Sequence, residues 1–338
     1  MRRALYSISV DGQDVTSNFE TYLIRLQIRM TDGGESDTCE ISLDDSAGQL
    51  KMPRDDAEIE VRLQWSDGSG AVVFKGKTDE PESQGSRGGG MVMNITARAT
   101  DMKNKPKEKK TKHKDDATFE EAAKEFGKLA GLIVKVAGEL AQKKRDYWAM
   151  QNESFMSWGT RIASELGATF KIRGKDAIFV PRNSNGSASG QKLPTIAAVY
   201  GQNIIDWQIR PTQNRPRYNR SVVRWYDAKE AKWKQETVQI SDETARVPLV
   251  DTRKFADHDR ARDRAESNAN EAERGEGGGK ITIDGEPAAV AQARCLISQF
   301  PAGVDALYRI REATHSLSRD RGWTTTFDIE QLKIEIEK

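Results

Sequence analysis

The sequence predicts an α+β protein that is mainly β, with β-rich modules at both ends and a small α+β unit between them. Three observations predict it. Short strand-like runs punctuated by turn residues fill residues 4–100, two helical stripes with polar caps follow within residues 118–167, and residues 308–330 read as a closing β-hairpin.

The N-terminal runs are residues 5–10, 22–30, 39–43, 59–65, 72–77 and 91–99. Leu26, Ile28 and Met30 alternate with polar residues, as do Ile59, Val61 and Leu63, so each run has one apolar face. Asp11-Gly12, Asp32-Gly33-Gly34, Ser66-Asp67-Gly68 and the Gly-rich residues 85–90 supply turns. Strands at this spacing predict a barrel or sandwich. The Gly-rich run lacks the Lys-Ser/Thr end of a phosphate loop and has no helix after it, so it is read as a hairpin loop.

Residues 103–114 hold seven lysines. They offer no aromatic ring for base stacking and lead into Asp115-Asp116, so the run is read as a solvated connector. Thr118-Phe-Glu-Glu121 is a capping-box pattern, and Phe119, Ala122, Ala123, Phe126 and Ala130 follow at helical spacing up to Gly131. After a short apolar strand, residues 132–137, a second helix carries Phe155, Trp158, Ile162 and Leu166 on one stripe and ends at Gly167. Residues 168–173 and 177–180 then form a hairpin, and Trp158 is read as core.

The Ser/Gly/Asn-rich residues 183–190 mark a loop or linker. Strands return over residues 197–200, 204–210, 217–226, 233–240 and 245–250. Residues 255–274 predict a charged helix with a thin stripe of Ala261, Ala265, Ala269 and Ala272, which permits close approach to a flat neighbour and makes these four a candidate interface. Residues 275–279 end it, and residues 280–284 and 294–299 lead to the hairpin. There Trp323, Thr325, Phe327 and Ile329 point one way, Thr324, Thr326, Asp328 and Glu330 the other, and Asp320-Arg321-Gly322 makes the turn.

At 338 residues the chain has room for two or three domains. Lys and Arg number 53 against 52 Asp and Glu, so no global field favours nucleic acid or an anionic membrane. The mean hydropathy of −0.72 implies much wet surface or polar protein interfaces. Cys39 and Cys295 give neither metal spacing nor a disulfide framework and suit a reducing compartment. Met1-Arg-Arg-Ala-Leu-Tyr enters a strand-like run without a signal core, and no window approaches the roughly 18 apolar residues of a membrane span, so folding in the cytoplasm without membrane insertion is expected.

Catalytic chemistry has no visible foothold. His113 sits in the lysine run, His258 opens a charged helix, and His315 lies in a strand whose Thr314 and Ser316 face away from it. No zinc-protease helix, paired zinc cysteines or nucleophile elbow occurs in the sequence. No catalytic, cofactor or metal residues are therefore assigned, and no cofactor is expected.

Two segments resemble a known family. Gln151-Asn-Glu-Ser-Phe-Met-Ser-Trp-Gly-Thr-Arg-Ile-Ala-Ser-Glu-Leu-Gly-Ala-Thr-Phe-Lys171 is similar to a stretch of the phage late control gene D proteins, the tail hub family of contractile-tailed phages. Tyr308-Arg-Ile, Ala313-Thr-His-Ser-Leu and Gly322-Trp-Thr-Thr resemble its C-terminal end. The order of elements agrees across nearly the whole chain. The matching positions are Asn152, Glu153, Ser154, Trp158, Gly167, Phe170, Tyr308, Thr314, His315, Gly322 and Trp323, and the resemblance makes them structural.

What the resemblance implies is an architectural protein rather than an enzyme. Like the hub half of type VI secretion spikes, such chains form homotrimers, each contributing two tube-type β-barrels to a pseudo-hexameric ring that joins the tail tube to a trimeric puncturing spike. The implied division is a first barrel over residues 1–102, a basic connector with a small α+β domain over 103–185, and a second barrel over 186–338 with the charged helix of about 255–274 inserted. Implied partners are the spike and tail tube proteins, with tape measure and baseplate wedge proteins as further candidates. The implied place is the virion tail baseplate after assembly in the host cytoplasm. Two other classes are a nucleic-acid-binding late-gene regulator, supported only by the lysine run, and a spike-associated cell-wall hydrolase. The run Ala288, Ala289, Val290, Ala291 after Pro287 looks more helical than the family's usual strand entry.

Overall fold

The computed structural model describes residues 2–33, 36–99, 105–182, 192–210, 217–241, 245–273, 277–300 and 304–332. The 183–190 linker, Lys103 and residues 274–276 lie outside the described residues.

The first module comprises β1 (Ala4–Val10), β2 (Gln13–Asp14), a short helix α1 (Thr16–Glu20), β3 (Leu23–Thr31), β4 (Thr38–Asp44), β5 (Glu58–Trp65), β6 (Ala71–Ser86) and β7 (Gly90–Arg98). They pair antiparallel in the order β1-β5-β6-β7-β4-β3. The period-two pattern decides which face turns in: Leu26, Ile28 and Met30 of β3 meet Ile59, Val61 and Leu63 of β5 in one buried cluster. Strands that distant in the sheet share a core only because the sheet rolls around it.

The middle unit comprises β8 (Lys109–Thr118), α2 (Phe119–Leu129), β9 (Ile133–Val136), β10 (Lys144–Ser154), α3 (Phe155–Glu165), β11 (Ala168–Arg173) and β12 (Asp176–Pro181). Both halves of the expected capping box form at Thr118 and Glu121. The lysine-rich stretch is not wholly a connector, because residues from Lys109 onward form β8 and pair with β10. Strand pairing tolerates these lysines because one face is wet and Glu125 receives Lys112 and Lys114. Phe119, Phe126, Trp148, Phe155, Trp158 and Phe179 fill the core at edge, tilted and stacked ring contacts.

The last module comprises β13 (Thr195–Val199), β14 (Ile204–Arg210), β15 (Arg220–Asp227), β16 (Lys232–Gln239), β17 (Pro248–Phe255), α4 (His258–Glu273), β18 (Gly278–Asp284), β19 (Arg294–Ser298), β20 (Ala306–Ser318) and β21 (Gly322–Gln331). Strands β15, β16 and β17 form a separate sheet under α4, while the others build a second core around Ile281, Tyr308, Ile310 and Phe327. The helix-like run at Ala288–Ala291 forms turns, since Pro287 precedes it and Gln292 adopts φ 74°.

The α+β, mainly β architecture read from the sequence is present: β modules at both ends, a small α+β unit between, and a charged helix in the second. The modules are not separate in their pairing. β20 pairs with β3 from Glu312↔Thr31 to Ser318↔Arg25, and this seam runs both modules into one 13-stranded sheet. Trp323 crosses the seam: it belongs to the first module's core, 4.9 Å from the Trp65 ring, and Trp65 Nε1 donates to Gly285 O at 2.9 Å.

Candidate functional site

The family-like stretch 151–171 forms a strand, a helix and the start of the next strand, and each of its named residues has a mechanical task. Asn152 takes φ 48°, where the register between β8 and β10 slips, and its amide N–H donates to Thr111 Oγ1 at 3.1 Å. The bulge shifts the register, and β10 then pairs with β8 through Ser154, where α3 begins. Ser154 caps that helix by accepting the Ser157 N–H at 3.1 Å. Trp158 is fully buried, and Gly159 leaves room for the Phe170 ring, which a Cβ would meet at 2.7 Å. Gly167 closes the helix at φ 63°, with Ser267 of α4 against it.

The charged members of the stretch build a joint. Arg161 donates to Glu153 at 2.5 Å and to Glu165 at 3.2 Å. Glu165 also receives buried Arg145 at 3.0 Å, with Arg260 of α4 at 3.6 Å. Asp263 of α4 pairs with Arg145 at 3.0 Å and with Lys143. Burial alone would raise the Glu165 carboxyl, but Arg260, Arg145 and Arg161 together hold it below the usual carboxylate range. Asp251 of β17 follows the same logic: burial opposes ionisation, while Arg253, Arg264 and Asn268 donate to it and hold it far below its ordinary value. Arg264 reaches on to Ser164 O at 2.8 Å, and Ser267 Oγ donates to the same carbonyl at 2.9 Å. The site is therefore an ionic clasp fixing α4 to α3.

The alanine stripe lies inside this arrangement. Ala261, Ala265 and Ala269 are buried, the first two in one cluster with Val223 and Phe255 on the three-stranded sheet, and Ala272 is half-buried. The chain itself covers that face.

A second joint ties the middle unit to the first module. Asp37 receives Arg173 at 3.1 Å and also Lys171, which donates to Thr31 O as well. Burial draws the Lys171 ammonium below the usual lysine range against the pull of Asp37. Arg309 makes a third joint with Glu330 at 2.6 Å and with Asp32 across the seam. Nothing in the sequence pattern singled out Arg145, Asp263 or Asp37, and Lys171 was only the end of the family-like stretch.

The hairpin residues are held by their own contacts. Tyr308 Oη donates to Val304 O at 3.1 Å, Thr314 Oγ1 lies 3.3 Å from Glu312, and Gly322 makes the turn at φ 66°. His315 is fully buried, with Nε2 2.9 Å from Ala289 O and Nδ1 3.2 Å from Thr325 Oγ1. Because Ala289 O can only accept, Nε2 carries the proton and Nδ1 accepts from the threonine. Burial lowers the ring's pKa to about 4. Of the other histidines, His113 stacks on Tyr147 and His258 lies 3.2 Å from Glu236. Among the described residues no cluster of His, Cys, Asp and Glu could hold a metal ion. Cys39 and Cys295 are free and sit in different cores, and burial pushes the Cys295 thiol up to about 12. No helix of the described residues is long and apolar enough to cross a membrane.

The large sheet ends in three places among the described residues: at β14, at β13, which pairs only with β19, and at β1 with its short partner β2. β14 pairs only with β18 among the described residues and exposes Ile205 and Trp207, the latter in a ring cluster with Tyr200 and Phe300. At the other end β1 is paired along β5 but meets β2 only at Ser9 and Val10, leaving Leu5 exposed. Free strand edges beside apolar surface can pair with a strand of another chain.

No family model matches the chain. In sequence it is similar to the "Probable baseplate hub protein" of Escherichia phage 186, 27% identical over 237 residues that cover 70% of this chain and 59% of that one. The matched region thus spans less than two thirds of that curated relative. In fold it is similar to the tail protein from Neisseria meningitidis MC58, with a TM-score of 0.70, 14% identity and 97% of each chain covered. It is also similar to the E. coli c3393 protein, a component of the type VI secretion system, with a TM-score of 0.54, 11% identity, and 97% of this chain and 77% of that chain covered. The family resemblance carried by residues 151–171 and the closing hairpin agrees with these likenesses.

Proposed function

We propose that the chain is the subunit of a baseplate hub: a non-enzymatic homotrimer whose pseudo-hexameric ring joins a tail tube to a trimeric spike in a contractile injection particle. One observation carries the reading. The two β modules run through the β3–β20 seam as one sheet, and strands β14, β13 and most of β1 keep an unpaired edge among the described residues. A subunit that already joins two such modules edge to edge keeps free strand edges on both, and head-to-tail contact between copies closes a ring when the rotation fits. Three copies give six modules. The likeness to a probable baseplate hub protein supports the same reading.

In this reading the division at residues 1–102, 103–185 and 186–338 separates the ring-forming modules from the α+β unit. The ionic clasp sets the geometry of the outer parts rather than binding a substrate. Intersubunit contacts fall on the open strand edges, since the alanine face of α4 is already covered.

Mass measurement in solution with negative-stain imaging tests the proposal. The expected particle has three times the 37.8 kDa chain mass and a ring-shaped projection. A chain that stays monomeric both alone and with its cognate spike protein overturns the reading.

A further inference from the structure

The sheet β16-β15-β17 has two faces of opposite character. One is closed by α4, and it takes Val223, Trp225 and every carboxylate of the three strands: Asp227 with Lys234, Glu236 beside His258, and Asp251 with Arg264. On the other face Arg220, Arg224 and Tyr226 alternate along β15, with Trp233 directly across from Tyr226 and Lys254 across from Arg224. Trp233 is 55% exposed and Val250 48% exposed, which is unusual for large apolar side chains on one sheet face. The Trp233 and Tyr226 rings lie 5.3 Å apart, and Lys254 Nζ stands 5.3 Å from the Trp233 ring. Three cations and two aromatic rings thus share a flat surface that bears no acid among the described residues.

The chemistry of this face selects its occupant. Arg presents a planar fork that matches carboxylates, and Trp, Tyr and Arg are the side chains that dominate protein interfaces. A neutral glycan would find a ring at Trp233 and amides at Gln235 and Gln239, but it would leave the charges of Arg220, Arg224 and Lys254 unmatched. A single-stranded nucleic acid needs a basic groove that follows the backbone, whereas this face offers three cations on the side chains of two strands. The outer strand β16 pairs only with β15 among the described residues, so its free main-chain groups can receive an added strand.

We propose that the outer face of β15, β16 and β17 docks an acidic, extended segment of another protein. Its carboxylates meet Arg220, Arg224 and Lys254, and an apolar side chain rests on Trp233 and Tyr226. The proposal does not rest on the hub reading, because the face lies on a sheet separate from the one with the open flanks.

Fluorescence anisotropy on the full chain provides the test, with a labelled peptide of alternating Glu and Thr around a central Leu, a twin with Gln for Glu, and a short oligothymidylate. The Glu peptide is expected to bind saturably, at least about tenfold more tightly than its Gln twin, and less well as salt rises. Trp233→Ala weakens binding by at least about tenfold, and Arg224→Glu with Lys254→Glu abolishes it, while oligomeric mass is unchanged. Equal binding of the two peptides, no saturable binding, or binding unaffected by these substitutions overturns the proposal. Tighter capture of oligothymidylate through the same residues overturns it in favour of a nucleic-acid face. Because the two peptides are compared on the unaltered chain, the result is independent of any variant's folding.

Discussion

Arg145 and Glu165 face each other at 3.0 Å with each side chain only 4% exposed, and the second guanidinium nitrogen of Arg145 is taken by Asp263 of α4. Removing one member of a buried pair leaves an uncompensated charge, which costs more than the pair itself contributes. Glu165→Gln is expected to lower stability by about 3–5 kcal/mol, because Arg145, Arg161 and Arg260 all lose their shared counterion. Urea unfolding midpoints check this, and a change within about 0.5 kcal/mol would show that the clasp is dispensable.

His315 gives stability a definite pH dependence. Its folded value of about 4 lies below its ordinary 6.5, so the unfolded chain binds the extra proton first. The contribution is whole above about pH 6.5, falls as the pH drops toward 4, and totals about 3 kcal/mol when both values are crossed. His315→Gln can still donate to Ala289 O and accept from Thr325 without titrating. Denaturation measured at pH 7, 5.5 and 4 should show a shallower acid loss in that variant; an identical slope would place the titration elsewhere.

Gly127 lies inside α2, where alanine ordinarily gains about 1 kcal/mol. Here an added Cβ would stand 2.2 Å from Val134 Cγ2 and 3.3 Å from the Phe155 ring. Overpacking of a rigid core costs about 1–3 kcal/mol, so the steric term outweighs propensity. Gly127→Ala should melt at a lower temperature than the unaltered chain; a higher melting temperature refutes the close approach.

Trp323 stands on a strand of the second module yet packs in the core of the first. Trp323→Ala is expected to cost about 3–5 kcal/mol and to loosen the coupling between modules. Calorimetry should then resolve two unfolding transitions where the unaltered chain shows one. A single transition at a merely lower temperature would mean that the β3–β20 ladder couples the modules without the ring contact.

Local pattern made much of this fold legible. Alternation marked β3, β5 and β21, the Thr118 and Glu121 pair marked the start of α2, and Asp320-Arg321-Gly322 marked the final turn. The lysine strand β8 and its partner β10 were not legible, because their stability comes from each other and from Glu125, not from an apolar face of their own. The β3–β20 seam was equally silent: a strand edge consists of main-chain groups that every residue shares, so its partner leaves no mark in side-chain periodicity. The stretch 151–171 could be recognised from its residues, but the clasp it makes with α4 depends on charges roughly 100 residues away.

The seam also imposes an order in time. Leu26 pairs with Leu317, so β3 emerges from the ribosome with one edge bare and keeps it bare until roughly 290 further residues have been added. At common elongation rates that wait is about 15 to 60 s. During it the first module carries an unprotected strand beside a core that still lacks Trp323. Contacts so distant along the chain make closure slow, and premature pairing of β3 with a neighbouring nascent chain is the natural misassembly. Synthesis in the presence of a separately supplied hairpin peptide covering residues 306–331 should therefore trap the first module with that peptide bound.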